Sequence, residues 1–126
     1  LAREAEIYRT RADRFPTNMG HRYELGVRLL KLDKPDEAVG EFQQARRDER
    51  YKARAFLQLG LCFLKKNIWR MAERNFSEAL QAAPAGDEDT RKEALYQLAV
   101  GAEKAGDKAR AVELGHELAN LDYNYK

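Results

Sequence analysis

The sequence contains little cysteine and histidine, and this scarcity excludes several kinds of chemistry. Cys62 is the single cysteine among the 126 residues, so no disulfide can form within the chain and no cysteine zinc cluster can assemble. His21 and His116 lie far apart without neighbouring ligands, and neither has the paired spacing of a metal site. The glycines are scattered rather than gathered into a phosphate-binding loop. We therefore predict no metal, no cofactor and no catalytic activity.

Neither charge of one sign nor hydrophobicity is concentrated along the chain. The 23 lysines and arginines against 21 acidic residues leave a net charge of +2, which lacks the strong positive field of a dedicated nucleic-acid-binding domain. The longest uncharged, largely apolar stretch, at 55–64, is far shorter than the roughly 20 residues that span a membrane. We expect neither a nucleic-acid partner nor a membrane span.

A repeat with a period of 34 residues organises the chain. The segment at 23–31 aligns with the segment at 57–65, and Phe42 falls on Phe76 in the same register. A further copy follows at 96–100, five residues later than the period requires, so an insertion is expected at 85–89. Internal repeats of this length indicate an array of small helical units. The predicted units form a single domain: residues 1–18 as the second helix of a truncated repeat, then repeats at 19–52, 53–86 and 90–123.

Each repeat is predicted to contain two short helices. Apolar residues in both arms recur at spacings of three and four, as on the buried face of a helix. Residues that break helices stand between the arms, namely Pro35, Asn67 and Gly106. Thr90 opens a segment with capping-box spacing, so a new helix should begin near it. No stretch alternates with period two for long enough to form a strand, and the prediction is an all-α fold of about seven helices.

These repeats resemble the tetratricopeptide repeat family, which combines a Leu-Gly pair with aromatic residues, alanine and a final proline at a 34-residue period. The second repeat carries eight of the family's positions in register: Phe56, Leu59, Gly60, Phe63, Ala72, Phe76, Ala79 and Pro84. The third repeat departs most, with Gly115 and Tyr123 where the family has phenylalanine and proline. The resemblance implies a solenoid of antiparallel helical hairpins that serves as a module for protein-protein interaction.

Small residues in the predicted first helices indicate where two helices of a hairpin approach closely. Gly26, Gly60 and Ala99 occupy this position, and small residues there let bulky side chains such as Phe42 and Phe76 fill the remaining space. Gly115 has no such role in the pattern, and a glycine inside a helix costs about 1 kcal/mol relative to alanine. We therefore expect the third repeat to be the least stable.

A second apolar stripe runs along the first helix of each repeat, roughly 115° from the stripe that carries the repeat signature. Its members, with the lysine that ends each helix, are Tyr23, Val27, Leu30, Lys31, Leu57, Leu61, Leu64, Lys65, Tyr96, Val100 and Lys104. In a tetratricopeptide solenoid these positions look like the concave groove where partner peptides lie. We predict that they bind a protein or peptide segment that is apolar with acidic flanks.

Other interpretations of these features stay open. The apolar stripe is also what helix-helix packing would produce, and each lysine also complements the negative end of a helix dipole. A different function is that of an architectural spacer or self-association element, which forms a homodimer through the ends of the solenoid. Ile7 and Tyr8 favour it, because they lie on a first helix that lacks its hairpin partner, and terminal repeats normally need polar caps.

Overall fold

The computed structural model describes the backbone of residues 1–125 and the side chains of residues 1–121, and this part of the chain forms seven α-helices. They span Ala2–Arg14 (α1), Met19–Lys31 (α2), Pro35–Ala45 (α3), Lys52–Lys65 (α4), Trp69–Ala82 (α5), Glu88–Lys104 (α6) and Lys108–Tyr125 (α7). No strand occurs within residues 1–125, and the predicted all-α fold is confirmed. The side chain of Tyr123, which the repeat alignment places at the final proline position, lies outside the described residues.

The seven helices form two layers. Each helix packs on its neighbours in the chain, and α4 also packs on α2 and α6. Among the described residues, by contrast, the backbones of α1, α3, α5 and α7 do not come close to one another. The layer whose members touch lies on the inside of a curved stack, and the layer whose members are splayed lies on the outside. The molecule is therefore a helical-repeat solenoid, with α2, α4 and α6 on its concave face and the other helices on its convex face.

The turn inside each of the three hairpins has the same backbone geometry. Asp33, Asn67 and Gly106, which follow α2, α4 and α6, have φ angles of 63°, 62° and 82°. In each turn the residue after the left-handed one donates its N–H to the carbonyl of the residue five positions before it, at 2.9 Å. This is the Schellman motif, which needs one residue in the left-handed region and tolerates Asn, Asp or Gly there. The repeat is thus present in the backbone even where the residue type changes.

Two of the hairpins are held by an aromatic ring that lies against a glycine. A Cβ atom built on Gly26 would lie 2.7 Å from Cε1 of Phe42, and one built on Gly60 would collide with the ring of Phe76. Both rings are fully buried. The two helices of each hairpin therefore approach closely only because the glycine has no side chain, as the alternation of small and large residues predicted.

The third hairpin packs differently from the alignment. Gly115, aligned with Phe42 and Phe76, is exposed, and a Cβ atom built on it would have no neighbour within 4 Å. Leu114, one residue earlier, is 1% exposed and belongs to the core. Helix α7 therefore turns a face centred on Leu114 toward the core, since a large apolar side chain there replaces the missing phenylalanine.

Helix α6 begins at Glu88, two residues before Thr90. Asp87 is its N-cap, because the Asp87 carboxylate accepts a hydrogen bond from the N–H of Thr90 at 3.2 Å. Thr90 itself is 3% exposed and lies in the first turn. Aspartate is among the most favourable N-cap residues, so the helix begins directly after Asp87. The helix predicted to begin near Thr90 thus begins two residues earlier, and part of the insertion lengthens α6.

Candidate functional site

The inner groove is the surface between the exposed sides of α2, α4 and α6, and two open hollows lie along it. The first has a volume of about 410 Å³ and lies between α2 and α4, lined by Leu30, Lys31, Leu61, Leu64 and Lys65. The second has a volume of about 390 Å³. It lies between the end of α4, the start of α5 and the last turns of α6. Its lining includes Leu64, Val100 and Lys104. Because Leu64 lines both, the two hollows adjoin.

Seven of the eleven predicted groove residues lie around these two hollows: Leu30, Lys31, Leu61, Leu64, Lys65, Val100 and Lys104. The apolar ones among them are half-buried, and the three lysines are exposed. Both hollows lie toward the ends of the inner helices, because the residues that line them come from the last turns. This end of the concave face is where the predicted residues come together.

The other four predicted residues lie elsewhere. Leu57 is 9% exposed and belongs to the core, so little of its side chain is open to a partner. Val27 is half-buried and packs against the same core. Tyr96 is 52% exposed but lines neither hollow. These residues and Tyr23 stand in the earlier turns of the inner helices, away from the hollows.

Tyr23 belongs to an aromatic cluster. Its ring centroid lies 5.6 Å from those of Phe42 and Tyr51, and the guanidinium of Arg54 lies 5.4 Å from it. Nε2 of Gln58 donates a hydrogen bond to the Tyr23 hydroxyl at 3.4 Å. Burial raises the pKa of Tyr23 above its ordinary value of 10.0, so the hydroxyl is protonated at neutral pH. This side chain joins α2 to α4.

The lysines at the rim of the groove differ in their partners. Nζ of Lys65 lies 3.6 Å from the carboxylate of Asp33, an ion pair between exposed side chains. Lys31 and Lys104 have no carboxylate oxygen within 4 Å among the described residues. An exposed ion pair contributes about 1 kcal/mol at most. The rim therefore offers two ammonium groups, and a third held only weakly, to an acidic ligand.

Trp69 and Gly101 form part of the second hollow, and neither is among the predicted groove residues. The indole packs on Phe76 with ring centroids 6.4 Å apart, and a Cβ atom built on Gly101 would collide with the indole. Helix α6 thus approaches α5 because residue 101 has no side chain. The sequence signal that could have revealed this contact is Gly101, a glycine inside a helix and outside the repeat signature. A glycine there destabilises a helix unless close packing requires it.

The groups that could carry chemistry are sparse in the described part of the chain. No group of three or more His, Cys, Asp or Glu residues that could hold a metal ion occurs there. Cys62 is fully buried, and burial raises the pKa of its thiol to about 12, so the thiolate that a nucleophile requires is absent at neutral pH. Within the same residues, no helix combines the length and the apolar character needed to cross a bilayer.

Comparison with known proteins supports the fold. No family model matches this chain, and no curated protein matches it. The crystal structure of MamA, a TPR-like helical repeat protein, is similar to it with a TM-score of 0.84 and 17% sequence identity, over 96% of this chain and 68% of the MamA chain. Similarity at this level of identity is a similarity of fold. The chain therefore belongs to the structural class of helical-repeat solenoids.

Proposed function

We propose that this chain is a divergent tetratricopeptide-type module without catalytic activity, which binds a segment of a partner protein in the inner groove. The repeat positions of the second hairpin and the MamA-like fold support the tetratricopeptide assignment. One observation carries the binding proposal: the two adjoining hollows expose half-buried apolar side chains, among them Leu61, Leu64 and Val100, on the concave face.

The composition of the groove indicates the chemistry of its ligand. Complete burial of a large apolar side chain contributes roughly 1.5 to 3 kcal/mol, so completing the burial of four or five half-buried ones contributes about 5 kcal/mol. Association costs at least a comparable amount, and additional contacts at the rim are needed. Lys31 and Lys104 can supply them to carboxylates. The proposed ligand is an apolar segment with acidic flanks. These contacts alone give an affinity of about millimolar, and a longer segment with further contacts along the groove binds more tightly.

Trp69 provides a direct test, because it is the single tryptophan of the chain and lines the second hollow. Peptides selected from a random phage-displayed library should change the fluorescence emission of Trp69 as they bind. Their affinity should fall roughly tenfold for Leu61→Ser and for Val100→Ser, since each change removes about 1 to 2 kcal/mol of apolar contact.

Val112→Ser is the matched control, because Val112 is 57% exposed and lies outside the groove. Circular dichroism melts of all three variants establish that they are folded. Selected peptides that leave Trp69 emission unchanged and bind every variant equally would contradict binding in the inner groove.

Exposed apolar residues on α1 and at its N-cap favour a second candidate, in which the chain acts as a spacer or self-association element. Ile7 is 45% exposed and Leu1 is 50% exposed, whereas Tyr8 is covered by the guanidinium of Arg28 at 4.7 Å. Sedimentation velocity on the same preparations separates the two candidates. Dimers that disappear with Ile7→Asp support self-association, and a strict monomer at all concentrations removes it.

A further inference from the structure

The convex face of the solenoid has three furrows, each between two consecutive outer helices and each with an inner helix as its floor. The first lies between α1 and α3 over α2, the second between α3 and α5 over α4, and the third between α5 and α7 over α6. Equivalent repeat positions line all three. The furrows can therefore be compared position by position, at shifts of 34 and then 39 residues.

The first furrow is closed by ion pairs. Nη1 of Arg22, on the floor, lies 3.1 Å from the carboxylate of Glu41 on α3, and only about a fifth of either side chain is exposed. A second pair, between Arg9 on α1 and Glu37 on α3, crosses the furrow at 3.5 Å. Charged side chains thus fill and bridge the space between α1 and α3.

The third furrow is closed by apolar side chains. Leu95 stands at the position equivalent to Arg22, and Leu114 at the position equivalent to Glu41. They are 4% and 1% exposed, and both belong to the core. The leucine that replaces the missing phenylalanine of α7 therefore also occupies the space between α5 and α7.

The second furrow has neither ion pairs nor a pair of leucines at the equivalent positions. Arg22 and Glu41 are replaced by Phe56 and Asn75, while Arg9 and Glu37 are replaced by Gln43 and Met71. The Asn75 amide turns back to its own helix, since Nδ2 donates to the carbonyl of Met71 at 2.8 Å. A hollow of about 270 Å³ remains, with the largely buried Phe56, Leu59 and Phe63 on its floor and Met71, which is 41% exposed, on its wall.

The charges around the hollow in the second furrow favour an acidic ligand. Arg46 stands on the α3 side and Arg74 on the α5 side, and neither has a carboxylate oxygen within 4 Å among the described residues. The guanidinium of Arg46 lies 5.4 Å from the ring centroid of Phe56. Glu78 is the single acidic residue of the lining, so the lining carries a net positive charge of one.

We propose that the second furrow is a docking site on the convex face for a segment of a partner protein. The segment places a large apolar side chain in the hollow, where it contacts mainly Met71, which is 41% exposed. Its carboxylate lies between Arg46 and Arg74. This site is independent of the inner groove, because it is built on the opposite side of α4 and by other residues.

Nuclear magnetic resonance titration with acetyl-Glu-Phe-Leu-Glu-amide tests the docking site. Saturable shifts are expected at the side-chain amides of Gln43 and Asn75 and at the Met71 methyl group, with a Kd of about 1 mM for so short a peptide. Arg46→Gln and Arg74→Gln should each weaken binding about three- to fivefold, as expected for exposed charge pairs. The control peptide acetyl-Gln-Phe-Leu-Gln-amide should bind more weakly and be insensitive to both substitutions.

Two further variants close the second furrow with the residue types that occupy equivalent positions in the first and third furrows. Asn75→Leu copies Leu114 and should abolish the shifts, read at the Gln43 amide and the Met71 methyl group. The double substitution Gln43→Arg with Met71→Glu copies Arg9 and Glu37 at exposed positions and should weaken binding without unfolding the chain, read at the Asn75 amide. Binding that persists in both variants overturns the proposal. So does equal binding of the glutamine peptide, the absence of saturable shifts, or shifts confined to Leu64 and Val100.

Discussion

At the scale of single residues, glycine has opposite roles at different positions of the same fold. Gly26, Gly60 and Gly101 each lie against an aromatic ring, so that a methyl group would collide with Phe42, Phe76 or Trp69. Gly115 lies in the open, with no atom near the place a Cβ atom would occupy. The first three glycines permit close helix packing, whereas the last only weakens its helix.

Alanine substitution should separate these two roles. Gly60→Ala is expected to destabilise the chain by about 2 kcal/mol, because overpacking against the buried Phe76 ring exceeds the gain in helix propensity. Gly115→Ala should stabilise it by about 1 kcal/mol, because only the helix propensity changes. Urea unfolding followed by circular dichroism measures both values, and shifts of the same sign in the two variants would contradict this assignment.

At the scale of helices, the sequence predicts helix positions better than helix faces. Helix α5 spans Trp69–Ala82, within the predicted repeat at 53–86, because a left-handed turn precedes it and Pro84 follows shortly after it. The orientation of α7 was not predictable from the 34-residue alignment, which places Gly115 at the buried position. Periodicity alone leaves adjacent residues Leu114 and Gly115 in competition, and the packing of α6 and α7 decides between them.

Packing against neighbouring helices also determines which residues of the predicted apolar stripe are accessible. Leu57 and Leu61 share the predicted stripe, yet Leu57 is buried and Leu61 is half-buried at a hollow. One turn along α4 separates them, and the side chain in the later turn is less buried. Sequence periodicity defines a direction on a helix but not how far the neighbouring helices extend along it, so only part of the groove was predictable.

Helix α7 should exchange its amide hydrogens more readily than α4. Helix α4 is packed on by α2, α3, α5 and α6, whereas α7 packs on α6 alone within the described residues. Native-state hydrogen exchange read by mass spectrometry should therefore give a lower free energy of opening for 108–121 than for 52–65, and the Gly115→Ala variant should narrow the difference. Uniform protection across the two helices would show that the chain opens only as a whole.

At the scale of the whole molecule, unfolding should depend on pH in the alkaline range. Burial raises the pKa of Cys62 from 9.0 to about 12, so the unfolded chain releases this proton at a lower pH than the folded chain does. The resulting stability is fully present below about pH 9 and is lost as pH rises toward 12, up to about 4 kcal/mol. Burial also raises the pKa of Tyr23, with the same sign.

Chemical denaturation at about pH 8 and about pH 10.5 measures this loss. Cys62→Ala is the matched variant, because it removes the titrating thiol from a fully buried site. It should show a smaller difference in free energy of unfolding between the two pH values than the wild-type chain. Identical differences would mean that the thiol does not contribute to the pH dependence.

Every helix of this solenoid packs on helices one or two positions away in the chain, and this has a consequence for how the protein is made. Chains dominated by local contacts fold quickly, because no distant segment has to be brought back first. As the polypeptide leaves the ribosome, each new hairpin can settle on the one synthesised before it. Assembly during translation then needs only the part of the chain that has already emerged.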